Sequence, residues 1–201
     1  MKPLSKGDLL PYEEYERVRE SFRKEIIVLK SRRRISIGDK ITLLFENRET
    51  VRFQVQEMIR VERIFDPAKI QDELDVYNAQ LPREGELSAT LFIEITDSAH
   101  IQRDLDALQG IDGDKTVAIR AGSKVVYAAF EQGRSKEDKI SAVHFLRFRP
   151  TKGILEALMQ GEPVSLAIDH PAYKAQVAVP EALRQEWLAD LRVSDRPGEV
   201  G

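Results

Sequence analysis

The sequence predicts an α+β fold, a mostly antiparallel sheet packed by helices, with a helical N-terminal part. Apolar residues recur at intervals of three and four over residues 12–32, which is the period of an amphipathic helix. After residue 86 the chain instead carries short runs of alternating apolar and polar residues between turn residues, which is typical of hairpin-linked strands. We expect a single domain over residues 1–191, helical over about 11–80 and strand-rich over about 86–180.

The N-terminal part is predicted to hold three helices and two strands, in the order helix 12–32, strand 34–37, strand 40–46, helix 48–65 and helix 67–78. Asp66-Pro67 is expected to separate the last two helices. Proline is unfavourable inside a helix because it lacks an amide hydrogen, but it is well suited to the first helical position.

The C-terminal part is predicted to hold the following elements: strand 86–96, helix 98–108, a hairpin of strands 116–120 and 124–130, strand 141–149, helix 151–160, strands 164–170 and 175–179, and helix 180–191. The charged segment 131–139 is predicted to be a mobile loop. The tail over 192–201 is predicted to be disordered.

Composition excludes several kinds of function. The chain has 201 residues, no cysteine and a formal net charge of −3. Without cysteine there are no disulfides, thiolate nucleophiles or cysteine-ligated metal clusters. The net charge gives no basic excess for nucleic-acid binding. The basic run KSRRR at 30–34 is interpreted as a solvated helix end, where positive charge suits the helix dipole, with a phosphate patch as the alternative.

The sequence also predicts where in the cell the protein is located. No apolar run approaches the ~20 residues of a membrane span. The first residues, MKPLSKGDLLPYEEY, have no apolar core of the kind found in signal peptides. We therefore expect a cytoplasmic protein of bacterial type with no membrane partner, which the absence of cysteine fits.

The helix predicted over 48–65 carries the most informative polar pattern. At 100° per residue its apolar residues fall on one broad arc, and Glu62 falls in the middle of that arc. A carboxylate in such a place has to be neutralised, hydrogen-bonded or paired. It is interpreted either as half of a structural ion pair or as a site carboxylate that acts as acid, base or metal ligand. The same alternatives apply to Gln54 and Glu57.

Two histidines are expected on core-facing strand positions. His144 alternates with apolar residues in a strand, and His170 ends a strand next to Asp169 and Pro171. Each is interpreted either as a core histidine with satisfied hydrogen bonds or as a ligand. Together with Glu62, or with Glu57, they would form a site of two histidines and one carboxylate for a divalent metal. No HExxH, HxH, DxDxDG or ExxH motif supports this site.

Arginines and carboxylates form a broader candidate. Arginines in a pocket bind carboxylate or phosphate through two hydrogen bonds, but they also connect helices to sheets. Glycine-rich phosphate loops and the GxSxG motif of hydrolases are absent. The candidate polar pocket consists of Arg48, Gln54, Glu57, Arg60, Glu62, Arg63, Glu73, Tyr77, His144, Arg147 and His170.

Five segments carry a family resemblance, in the order LLFENRETVRFQVQEMIRVERI, QDELDVYN, LSATLFIEI, SAVHFLRF and DHPAY. Together they resemble the bacterial family catalogued as domain of unknown function 3501, over about Leu9 to Leu191. The resemblance implies no established activity. The motif residues that carry over are Arg48, Gln54, Gln56, Glu57, Arg60, Glu62, Arg63, Glu73, Tyr77, Asn78, His144, Arg147, His170 and Tyr173.

The genes of that family often lie beside rubrerythrin-like and iron–sulfur oxidoreductase genes. The resemblance therefore implies a link to redox or oxidative-stress metabolism, with a rubrerythrin-like or iron–sulfur protein as partner. Because the chain has no cysteine and no cofactor motif, it is not expected to carry electrons by itself.

Three hypotheses about function follow. In the first, the protein is a non-catalytic accessory protein of a redox partner, and its polar cluster is a structural network or a small anion site. In the second, it is a metal-dependent enzyme or metal-binding protein that uses Glu57, Glu62, His144 and His170 on an anionic substrate. A third hypothesis, nucleic-acid binding through residues 32–34, is disfavoured by the net charge.

Overall fold

A computed structural model describes residues 1–131, Gly133 and residues 140–193 of the chain. Most of the predicted charged loop, residues 132 and 134–139, and residues 194–201 of the predicted tail lie outside the described residues. The predicted α+β class is confirmed. The described helices are α1 Tyr12–Arg33, α2 Arg48–Glu62, α3 Pro67–Asn78, α4 Ile101–Ala107, α5 Lys152–Gln160 and α6 Glu181–Val193.

The strands form two antiparallel sheets. They are β1 Arg34–Ile37, β2 Ile41–Glu46, β3 Leu87–Ile93, β4 Val117–Ala121, β5 Lys124–Tyr127, β6 Ala129–Phe130, β7 Val143–Phe148, β8 Ser165–His170 and β9 Tyr173–Ala178. Sheet A has the order β1-β2-β3-β7-β6, and sheet B has the order β5-β4-β8-β9. The helical and strand-rich parts of the chain are therefore interleaved, because β1 and β2 join β3 and β7 in one sheet.

Several predicted boundaries were wrong, among them the following three. The strand predicted over 124–130 is divided at Ala128, because β5 pairs with β4 in sheet B whereas β6 pairs with β7 in sheet A. Helix α2 ends three residues earlier than predicted, because Arg63 adopts the left-handed conformation with φ 51°. Helix α6 extends to Val193 and so includes the first two residues of the predicted tail.

The main hydrophobic core is built from one face of each sheet together with α5 and α6. At its centre the ring of Phe45 packs against Trp187, with ring centroids 4.7 Å apart, and against Phe148 at 6.1 Å. Full burial of side chains of this size contributes roughly 1.5–3 kcal/mol each. This core fixes the two sheets relative to α6 and leaves the other face of sheet A for the N-terminal helices.

A glycine and a tyrosine join the two sheets at one corner. Gly38, in the β1–β2 turn, has φ +75°, and a Cβ atom there would lie 2.2 Å from Oη of Tyr173. The position therefore requires glycine. The hydroxyl of Tyr173 donates to the carbonyl of Ile37 at 2.8 Å and accepts from the amide of Lys40 at 3.1 Å. These bonds attach β9 of sheet B to the turn of sheet A.

A second, smaller cluster lies between the N-terminal segment, α2 and α3. Its buried residues are Leu4, Val51, Val55, Ile59, Leu74 and Leu81. Helix α2 is oriented by a capping box, in which Oδ1 of Asn47 accepts from the amide of Thr50 at 3.0 Å. None of the helices in the described part of the chain is both long and apolar enough to span a bilayer.

Candidate functional site

Glu62 does not lie where the sequence placed it. It is exposed at the last position of α2, and its apolar neighbours Val61 and Phe65 are 65% and 63% exposed. The apolar arc is therefore covered as far as Ile59 but exposed at Val61 and, beyond the helix end, at Phe65. The expectation of a buried and paired Glu62 was wrong, because amphipathic spacing shows which face is apolar and not how far along the helix that face is covered.

Glu57 accepts hydrogen bonds from three side chains, of which only Arg60 belongs to the predicted pocket. Its Oε1 accepts from Nε of Arg19 at 2.8 Å and from the hydroxyl of Tyr15 at 2.7 Å, and its Oε2 accepts from Nη2 of Arg19 at 2.8 Å. Arg60 adds a longer bond at 3.3 Å. The hydrogen bonds from Arg19 lower the pKa of Glu57 to about 2 against the opposing effect of burial. A carboxylate held ionised in this way is poorly matched to proton transfer near neutral pH.

Gln56 and Asn78 hold the N-terminal segment in place. The side-chain amide of Gln56 bonds both backbone groups of Leu10, at 2.9 and 3.0 Å. Asn78 makes the same pair of bonds with Leu4, at 2.7 and 2.9 Å. Each side-chain amide accepts from the backbone N–H and donates to the backbone carbonyl of one residue in the N-terminal segment. These backbone groups have no partner in a helix or strand, so the side chains supply the hydrogen bonds that they need.

Four other predicted residues lie around the same helices. Nη2 of Arg48 pairs with the carboxylate of Asp8 at 2.6 Å. Tyr77 is partly buried against the smaller cluster. Burial raises the pKa of Glu73, and the nearby carboxylates raise it further. Arg63 is exposed at the end of α2. These residues do not converge with the histidines.

The buried carboxylate of this layer is Glu46, which the sequence analysis missed. Its side chain is 1% exposed. Oε2 accepts from the hydroxyl of Thr50 at 2.5 Å, and Oε1 accepts from the hydroxyl of Thr90 at 2.7 Å and from Nε2 of Gln54 at 3.3 Å. Burial lowers the pKa of Lys30, and the charge of Glu46 opposes that shift. Gln54, a predicted site residue, therefore serves as one of the donors to Glu46.

Arg33 was also missed, since the basic run was expected to be solvated. Arg33 is fully buried, whereas its neighbour Arg32 is exposed. Its Nε donates to the carbonyl of Phe45 at 2.7 Å, and its guanidinium pairs with Glu186 at 2.9 Å and with Asp190. The expectation was wrong for Arg33 because α6 packs over the end of α1 and supplies the carboxylates.

His170 is a satisfied core histidine. It is buried at the end of β8. Nδ1 accepts from the amide of Ala172 at 3.2 Å, so Nε2 carries the proton and donates it to the carbonyl of Gln109 at 3.0 Å. Both ring nitrogens are therefore engaged within the protein, and neither is directed at a ligand.

His144 is buried in β7 of the other sheet. Its Nε2 bonds to the carbonyl of Ser141 at 2.7 Å, and its Nδ1 lies 3.8 Å from a carboxylate oxygen of Asp112. In the described part of the chain no three His, Asp or Glu side chains are placed to hold a metal ion. The structure thus does not bring Glu62, His144 and His170 together.

Arg147 connects the helical layer to sheet A. On β7, its Nη1 donates to the carbonyl of Leu81 at 2.9 Å and to Glu86 at 3.3 Å, and its Nη2 donates to the carbonyl of Ala79. These carbonyls follow the C-terminus of α3, where a cation satisfies unpaired acceptors. The arginines were expected either to bind an anion or to connect the helices to the sheet. The contacts of Arg147 favour the second alternative.

Several concave surfaces adjoin these residues. An apolar groove of about 340 Å³ lies between the N-terminal segment and the α2–α3 connection, and its lining includes Leu9, Leu10, Tyr12, Ile59, Phe65 and Ile70. A second cavity, of about 300 Å³, lies where the α3–β3 connection meets β6 and β7, next to Arg147. The first is an apolar surface, and the second combines charged, amide and apolar walls.

A family model described as "Protein of unknown function (DUF3501)" matches residues 3–191. This chain belongs to the DUF3501 family. A crystal structure of a novel protein of unknown function from Burkholderia pseudomallei K96243 has a TM-score of 0.86 to this chain. The two sequences are 35% identical over 94% of this chain and 100% of that one. No curated protein matches this chain. The resemblance to DUF3501 is confirmed, and it assigns no activity.

Proposed function

We propose that this member of the DUF3501 family is a cytosolic, non-catalytic accessory protein that binds a redox protein, either a rubrerythrin-like protein or an iron–sulfur oxidoreductase. The choice of partner rests on the genes associated with the family. The non-catalytic role is supported by the charged groups themselves. Glu57, His170 and Arg147 make hydrogen bonds inside the protein that leave them poorly placed for chemistry on a substrate.

The apolar groove beside the end of α2 is the observation that carries the proposal. Phe65 is 63% exposed there, and its ring meets that of Tyr12 edge-on with centroids 5.3 Å apart. Val61, 65% exposed, continues the apolar surface along the last turn of the helix. Contiguous exposed apolar surface of this kind marks protein interaction sites. Aromatic side chains seated at such a surface commonly supply much of the binding energy.

The proposal is tested by binding to purified proteins. A rubrerythrin-like protein and an iron–sulfur oxidoreductase from the source organism are titrated with the wild-type chain, with Phe65→Ser and with Met159→Ser. Met159 is the matched control, because it is 62% exposed but lies on α5. We expect one of the two proteins to bind wild type and Met159→Ser equally. Phe65→Ser should bind about tenfold or more weakly, since one buried aromatic is worth at least about 1.4 kcal/mol.

Two results would overturn the proposal. The first is that neither redox protein binds, or that Phe65→Ser binds as well as wild type while its melting temperature is unchanged. The second is stoichiometric iron, manganese or zinc in the purified protein that is lost on His144→Ala. That second result would favour the metal-dependent hypothesis, in which Glu57, Glu62, His144 and His170 do the chemistry.

A further inference from the structure

The apolar groove at Phe65 adjoins a second, charged depression. The groove is lined by the N-terminal segment and the α2–α3 connection, and Lys6 is the one charged residue that the structure describes in its wall. The charged depression, of about 450 Å³, is lined by the end of α2, the same connection and the first turns of α3. Ile64 and Phe65 line both surfaces. A partner that covers the exposed ring of Phe65 therefore also meets the charged depression.

The charged depression belongs to the most acidic part of the helical layer. Residues 62–78 carry five carboxylates, Glu62, Asp66, Asp72, Glu73 and Asp75, against two cations, Arg63 and Lys69. All of these except Asp75 line the depression. The segment thus has an excess of three negative charges, which equals the net charge of −3 of the whole chain. A surface of this kind attracts a partner of opposite charge.

Three of these carboxylates are not neutralised by the protein itself. Two cations line the same depression, yet Glu62, Asp72 and Glu73 form no ion pair or side-chain hydrogen bond with any residue that the structure describes. Asp66 differs, because its Oδ1 accepts from the amide of Ala68 and caps α3. Burial raises the pKa of Glu73, and the charges of Glu62 and Asp72 raise it further. The carboxylates repel one another, and a cation supplied by a partner would relieve that repulsion.

We propose that the partner surface that covers Phe65 is basic. It places an apolar side chain in the groove and a lysine or arginine beside it, over the carboxylates of the charged depression. This inference rests on the proposed function, because it specifies the chemistry of the partner at the same groove. The groove, of about 340 Å³, is at the small end of ligand pockets and suits an apolar anchor of one or two side chains. Added salt should slow association, because charges at the rim of an interface act mainly on the association rate.

Two synthetic peptides test the inference without a redox protein. Both are amphipathic helices of about four turns with leucine at the same positions. The other positions are lysine in one peptide and glutamate in the other. We expect the lysine peptide to bind the full chain one-to-one, and at least about tenfold more tightly than the glutamate peptide. Phe65→Ser should weaken the lysine peptide about fivefold or more, because the leucines lose part of the groove.

The decisive variant combines Glu62→Lys with Asp72→Lys. Both side chains are exposed, and the two changes reverse charge in the depression. The lysine peptide should bind this variant about tenfold or more weakly, with a smaller dependence on salt. The matched control combines Asp114→Lys with Glu162→Lys, which are also exposed but line neither the groove nor the depression. If the decisive variant does not fold, Glu62→Gln replaces it and should bind about threefold more weakly.

The inference is overturned if neither peptide binds, or if the glutamate peptide binds as tightly as the lysine peptide. It is also overturned if the decisive variant and its control bind the lysine peptide equally. If the lysine peptide behaves as expected and neither redox protein binds, the basic partner stands and the redox partner is wrong. If a redox protein needs Phe65 but binds the decisive variant as well as wild type, the proposed function stands and the basic partner is wrong.

Discussion

The fully buried guanidinium of Arg33 pairs with the carboxylate of Asp190, and this ion pair joins the end of α1 to α6. Each nitrogen of the guanidinium has an acceptor. Nε bonds the carbonyl of Phe45, Nη1 bonds Glu186, and Nη2 bonds the carbonyl of Glu46 as well as Asp190. A buried charge is tolerated when it is paired and hydrogen-bonded in this way. Removal of one partner leaves the others uncompensated.

Arg33→Ala is therefore expected to lower the free energy of unfolding by about 3–5 kcal/mol. Arg32→Ala is the control, since Arg32 pairs with the same Glu186 at 2.8 Å but is 47% exposed in its side chain. An exposed pair contributes at most about 1 kcal/mol. Urea unfolding of the two variants measures the difference. Equal losses would show that burial of Arg33 has no energetic consequence.

Glu46→Ala is expected to destabilise the protein by about 2–4 kcal/mol, because the hydroxyls of Thr50 and Thr90 lose their buried acceptor. Glu49→Ala provides the comparison. Its side chain is 44% exposed, and among the residues that the structure describes it pairs only with Arg52 of the same helix, so a change of less than about 1 kcal/mol is expected. Denaturant midpoints and slopes are compared for both variants. If Glu46→Ala lowers the free energy of unfolding no more than Glu49→Ala does, the hydrogen bonds from Thr50 and Thr90 to Glu46 do not stabilise the fold.

Glu57 predicts a specific dependence of stability on acid. Its pKa is about 2 in the folded chain against an ordinary value of 4.5, so the stabilisation it gives is complete above pH 4.5 and is lost as the pH falls toward 2. Glu57→Gln should therefore be less stable than wild type by about 1–3 kcal/mol at pH 7. The two unfolding free energies should converge as the pH approaches 2. A gap that is constant with pH would exclude the lowered pKa.

Glu62→Gln is expected to change the free energy of unfolding by less than about 0.5 kcal/mol, because the side chain is exposed. If Glu62 were half of a buried ion pair, the same change would cost about 3–5 kcal/mol. Thermal melts at neutral pH distinguish the two values. A loss in the larger range would restore the sequence-based interpretation of Glu62 and contradict its exposed position.

Most secondary structure could be predicted because its signals are local. The repeat of apolar residues identified α1, and Asp66-Pro67 correctly placed the start of α3. The division of strands between two sheets could not be predicted. Residues 124–130 alternate in a way that suits a single strand, and only the competing partners β4 and β7 divide it at Ala128.

The partners of the polar residues could not be predicted from local sequence either. Most of the residues selected in α2 do make tertiary hydrogen bonds, Gln54, Gln56 and Glu57 among them. Their partners Arg19 and Glu46 were missed because they lie far away or in a different element. Strand alternation put Glu46 with Thr42 on the polar side of its strand, and only the packing of α2 buries that side. Burial of Arg33 depends on α6, which lies about 150 residues further along the chain.

We propose that this protein acts by binding a redox protein through the apolar surface at Phe65. The ratio of the dissociation constants of Phe65→Ser and Met159→Ser for the same redox protein tests it most directly. We expect a ratio of about ten or more, with both variants as stable as wild type to within about 1 kcal/mol. A ratio near one would contradict it.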